Sequence, residues 1–78
     1  MKLNVISPDG VIFSAETESV RVEASDGFVG IRRGCCRTLI KTVDGALFYL
    51  DGDTEKSLDV KAGFASVADD VINVFSGV

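Results

Sequence analysis

The residues best equipped for chemistry lie close together. Arg32, Arg33 and Arg37 surround the adjacent cysteines Cys35 and Cys36, within a stretch from Asp26 to Arg37 that also holds Gly27, Gly30 and Gly34. A guanidinium grips a carboxylate or phosphate through two parallel N–H bonds, and positive charge beside a thiol stabilises the thiolate. Such a thiol is reactive without being catalytic. Neighbouring cysteines rarely pair, because the ring they would close is strained, and these two form no spaced disulfide framework. Reduced thiols are therefore expected, and their plainer role is that of small residues filling a loop. The arginines, likewise, read most simply as a solvated charge run. Phe28 and Val29 beside them favour a contact, since arginine and aromatic residues are enriched together at interface centres.

The rest of the inventory is thin. The chain has no histidine, which removes the commonest general base and metal ligand together. Asp51-Gly52-Asp53-Thr54-Glu55 places oxygens at alternate positions, yet lacks the glycine and the bidentate glutamate at the spacing a calcium loop uses. A hairpin tip is the expected role, because Asp-Gly between alternating runs is a strong turn signal. No cofactor, metal or catalytic set is expected, and an enzyme is disfavoured for want of convergent perturbed groups.

Short strands must position these residues. Leu3 to Val5 and Val11 to Ala15 form the first two, around Pro8-Asp9-Gly10. Val20, Val22 and Ala24 then alternate with Arg21 and Glu23, the period of a half-buried strand. Ala46 to Leu50 is apolar on both faces and is expected in the middle of a sheet. Leu58 and Val60 alternate with charged neighbours, and Gly63–Ala68 and Val71–Phe75 form a last pair around Asp69-Asp70. Asp-Gly pairs at Asp9, Asp26, Asp44 and Asp51 suit hairpin turns. No window shows helical spacing, so the expected class is all-β, an antiparallel β-sandwich of about nine to ten short strands, in a single domain over residues 1–78.

Composition narrows the partners. A net charge of -4 argues against nucleic acid, which needs clustered basic residues. The longest apolar run, Ala46 to Leu50, is far too short to span a bilayer, so no direct membrane insertion is expected. Met1-Lys2 is followed by no sustained apolar run, and no signal peptide is expected. A chain of 78 residues buries only ~60 % of its unfolded surface, so a partner would add useful stability.

Three stretches resemble the amino-terminal β-sandwich of the epsilon subunit of F-type rotary ATP synthases, called delta in mitochondria. The opening Leu3 to Pro8, with Val11-Ile12-Phe13 and Ser19 to Val22, is similar to the family's first strands. Gly27-Phe28-Val29-Gly30-Ile31 falls where the family has a Gly-x-x-Gly turn. Gly45-Ala46-Leu47, Ala62 to Val67 and Asp70 to Val74 are similar to later family segments. Where the family reads Leu-Pro-Gly-His-x-Pro-Leu-Leu, this chain reads Arg32 to Leu39 and keeps only Gly34 and Leu39. The acidic residue that often follows the first glycine is Phe28 here, and the histidine position is Cys35.

The resemblance implies a non-catalytic central-stalk subunit, coupling rotation of the membrane c-ring to the catalytic head through the gamma subunit, peripheral on the cytoplasmic face of the energy-coupling membrane. It implies a c-ring side made of Asp26, Gly27, Phe28, Val29, Gly30, Arg32, Arg33 and Cys35. The gamma side is expected near Phe48, Phe64 and Phe75. Family members continue into a helical hairpin that can inhibit ATP hydrolysis; ending at Val78, this chain is expected to couple without that inhibition. The alternative is a stand-alone β-sandwich adaptor whose arginine loop binds an acidic protein segment, with the steep salt dependence of exposed charge.

Overall fold

The computed structural model describes residues 1–34 and 36–77, and builds them into nine strands. These are β1 (Lys2–Ser7), β2 (Gly10–Glu16), β3 (Ser19–Ala24), β4 (Gly27–Arg32), β5 (Thr38–Thr42), β6 (Gly45–Asp51), β7 (Thr54–Val60), β8 (Gly63–Ala68) and β9 (Val71–Ser76). No helix occurs among the described residues, and so none is long and apolar enough to cross a membrane.

The strands form two halves of a curled sheet. One runs β2-β1-β9-β8-β5 and the other β4-β3-β6-β7. They meet where Ala24 of β3 pairs with Thr42 of β5, and the Val43 N–H donates to the Glu23 carbonyl at 3.1 Å. All pairs are antiparallel except β1 with β9. No hairpin joins those two strands, so nothing obliges them to run oppositely.

Period-two alternation decides what lies between the halves. Leu3, Val5, Val20, Val22, Ile31, Leu47, Ala65, Val67, Ile72 and Val74 are all essentially inaccessible and form the core. Burying each of the larger ones contributes about 1.5–3 kcal/mol. β6 lies between β3 and β7, as its apolar run led one to expect. Leu47 and Tyr49 point inward, while Phe48 points out and is half-buried beneath its neighbours.

The turns depart from expectation in instructive ways. Asp69-Asp70 is a turn, with φ of 52° and 60°, the left-handed pair that a tight hairpin requires and that aspartate tolerates. Between β3 and β4 the turn residues are Ser25 and Asp26, and Gly27, at φ 122°, is already the first strand residue. Asp44-Gly45 makes no hairpin, because β5 and β6 belong to different halves and it carries the chain from one to the other.

Two buried threonines sit at the joins. The Thr17 hydroxyl lies 2.8 Å from the Leu50 carbonyl and accepts from the Leu50 N–H at 3.1 Å, clipping the β2–β3 link to β6. Thr42, at the seam, is as buried, yet its hydroxyl has no hydrogen-bond partner among the described residues.

Candidate functional site

The expected c-ring set follows β4 and therefore does not converge. At about 3.3–3.4 Å per residue, the six residues Gly27–Arg32 span about 17 Å. Asp26, Gly27 and Phe28 lie at the β3–β4 turn, and Arg32 and Arg33 lie at the far end. Gly30 is exposed mid-strand, whereas Val29 packs against the core. Cys35 lies outside the described residues.

The arginine loop is moored to the protein itself. The Gly34 N–H donates to Asp70 Oδ1 at 3.0 Å. Arg33 pairs with Glu18 at 3.0 Å, and Arg37 lies 3.9 Å from Asp69. Each pair is exposed and worth only about 0–1 kcal/mol, but together they neutralise much of the local positive charge. The Cys36 side chain is exposed. Asp51-to-Glu55 is the β6–β7 hairpin tip, where Asp51 pairs with Lys56 at 2.7 Å and Glu55 with Arg21. The Asp51 hydrogen bond, helped by its charge, raises the Lys56 pKa.

A residue missed in the sequence organises one outer face. Arg21 of β3 lies opposite Gly30 and Phe48. Gly30 has no side chain, and an added Cβ there would meet nothing within 4 Å. The Arg21 guanidinium stands 5.4 Å from the Phe28 ring centre and 4.7 Å from that of Phe48, with both Glu55 oxygens within 3.2 Å. The two rings meet edge-on at 5.7 Å. The alternation of Val20–Ala24 already turned Arg21 outward; what the sequence withheld was the strand pairing that brings both rings to it.

The opposite outer face, on the five-stranded half, carries an apolar row. Val11 pairs with Ile6, Ile6 with Phe75, and Phe75 with Phe64. Val11 is 62 % exposed and Phe64 40 %. A polar row runs beside it, where Ser14 bonds Asn4, and Asn4 bonds Asn73 at 3.0 Å. Leu39, the next outward residue of β5 before Lys41, is 69 % exposed. Phe64 and Phe75 thus share a face, whereas Phe48 lies with Phe28 on the other half. Strand pairing, not chain proximity, decides which outward residues are neighbours.

Comparison with known proteins matches this geometry. Residues 1–77 match the family model described as the ATP synthase delta/epsilon chain, beta-sandwich domain. The chain is 34 % identical to the ATP synthase epsilon chain of Bacillus subtilis and 29 % identical to that of a Hydrogenobaculum species, each over 97 % of its own length. It spans only 58 % and 55 % of those relatives. Among solved structures, a chain of the Euglena gracilis mitochondrial ATP synthase superposes with a TM-score of 0.83 at 22 % identity, covering 95 % of this chain and 48 % of that one. A chain from the central stalk and c-ring of the Tetrahymena thermophila enzyme superposes at 0.76 and 11 % identity, covering 97 % and 62 %. At such identities these two likenesses speak for the fold alone.

Proposed function

The chain belongs to the ATP synthase delta/epsilon β-sandwich family, and from that membership we propose that it is a non-catalytic rotor component, peripheral at the cytoplasmic face of the energy-coupling membrane. It joins the gamma subunit to the c-ring so that rotation of the ring reaches the catalytic head. No bond is made or broken in it; the work is mechanical, and a rigid β-sandwich suits transmission of torque.

What supports this reading is the registered apolar row of the five-stranded half. Val11, Ile6, Phe75 and Phe64 cross four hydrogen-bonded strands without interruption, giving a broad contact on a stiff base. We place the gamma subunit there. The c-ring side is the β4 hairpin from Asp26 to Arg33 with the loop that follows it. The ion pairs of Arg33 and Arg37 with Glu18 and Asp69 leave Arg32 alone of the three, among the described residues, to attract an acidic partner by charge, which weighs against an adaptor that binds through the whole arginine loop.

Size-exclusion chromatography with the gamma subunit of the same organism, at low and at high salt, tests the proposal. An apolar contact gives one-to-one co-elution that survives high salt, where exposed charges are screened within ~3 Å at 1 M. Absence of co-elution at both salts overturns the proposal.

A further inference from the structure

Among the described residues, β2, β4 and β7 each pair on one side only, and such edges invite pairing with another chain unless charge, proline or a bulge guards them. β7 is guarded by Glu55, Lys56 and Asp59, and the β1–β2 ladder by a register shift at Val5/Ile6. β4 carries no charge, proline or register shift from Gly27 to Ile31, and its one charged residue is Arg32, at its end.

The free backbone groups of β4 can be named. In an antiparallel ladder, successive residues point their N–H and C=O to opposite sides. The Glu23 carbonyl accepts from Val43 on the β5 side, so Val20, Val22 and Ala24 face β4, where they pair with Ile31, Val29 and Gly27. Phe28, Gly30 and Arg32 therefore turn their N–H and C=O groups outward. All three residues are exposed, so the open backbone is not covered by side chains of the core.

We propose that the free edge of β4 is a strand-addition site for an extended, acidic and aromatic protein segment, which runs antiparallel to β4 and bonds the backbone of Phe28, Gly30 and Arg32. The side-chain requirements come from the three positions. Arg32 makes no ion pair among the described residues, unlike Arg21, Arg33 and Arg37, and calls for a carboxylate opposite it. Gly30 leaves open space above the strand, which an aromatic residue across the ladder covers. Phe28, half exposed, takes a β-branched residue, a favoured cross-strand pair. The site rests on strand geometry and not on the rotor reading. It lies within the stretch assigned to the c-ring, so a bound segment and the ring exclude each other.

The test uses the whole chain, labelled with 15N, and a blocked peptide of alternating threonine with Asp, Tyr and Val in that order. At about 1 mM peptide, the amides of Phe28, Gly30 and Arg32 should exchange at least ~10-fold more slowly, as strand pairing protects them. Those of Val29 and Ile31, already bonded to β3, should not change. The same peptide N-methylated at the amides facing β4 should have no effect. Gly30→Pro, which removes an N–H that only an added strand would use, should abolish protection. No protection, equal protection by the N-methylated peptide, or chemical-shift changes confined to the five-stranded face overturn the proposal. Protection that rises with chain concentration and needs no peptide also overturns it, by assigning the edge to a second copy of the chain.

Discussion

Phe28 and Phe48 stand edge to face with ring centroids 5.7 Å apart, although nineteen residues of chain, including the whole of β5, lie between them. Arg21 covers both rings and is held in place by Glu55. The cluster is a surface device that ties β4, β3, β6 and β7 together on the outside of the four-stranded half. Arg21→Ala, Phe48→Ala and the double variant, compared by urea unfolding, should yield a coupling of about 0.5–1 kcal/mol, the range of an exposed cation–π pair. Arg21→Lys should not restore it in full, since an ammonium cannot offer Glu55 two parallel bonds.

The two buried threonines should respond in opposite directions. Thr17→Val strands the Leu50 N–H, otherwise held at 3.1 Å, and should destabilise the fold by about 1–3 kcal/mol. Thr42→Val removes a buried hydroxyl that has no partner among the described residues at nearly constant volume, and should stabilise by about 1 kcal/mol. Chemical denaturation of both variants checks the pair of signs.

Asp70 serves the fold twice, as a left-handed turn residue and as acceptor for the Gly34 N–H. Asp70→Gly keeps the first role and discards the second. Global stability should change by less than ~1 kcal/mol, while exchange of the Gly34 amide becomes faster. Asp70→Ala loses both roles and should be the less stable of the two.

The exposed Asp51–Lys56 pair makes a small contribution that alkali removes. Its hydrogen bond and charge raise the Lys56 pKa above the usual lysine value in the folded chain. A raised folded pKa means stabilisation that is complete below the unfolded value and is lost as pH climbs through the folded one. Asp51→Asn should lower the Lys56 titration midpoint, read by NMR at its Cε, and should remove part of the stability loss seen as alkali deprotonates this lysine.

Much of the fold was legible because alternation is a local signal. Val20, Val22 and Ala24 declare an inward face without reference to anything else, and Asp69-Asp70 declares a turn. Pairing is not local. That β1 lies parallel to β9, or that Asp44-Gly45 carries the chain between halves instead of folding it back, depends on which strands bury each other. Surfaces depend on pairing in the same way. Phe48 lies on the other half from Phe64 and Phe75, and β4 holds Asp26 and Arg33, which the resemblance puts on one partner side, at its two ends. Arg21 escaped notice because its partners come from β4, β6 and β7, and no spacing in the sequence announces them.

The two outer faces can be told apart by titrating the gamma subunit into the chain carrying Phe64→Asp and, separately, Phe48→Asp, with thermal melts to show that both are folded. A contact on the five-stranded half makes Phe64→Asp weaken binding at least ~30-fold, the effect of losing a central anchor, and leaves Phe48→Asp within a few-fold of the unaltered chain. The reverse ranking would place gamma on the Arg21 cluster and contradict the arrangement proposed here.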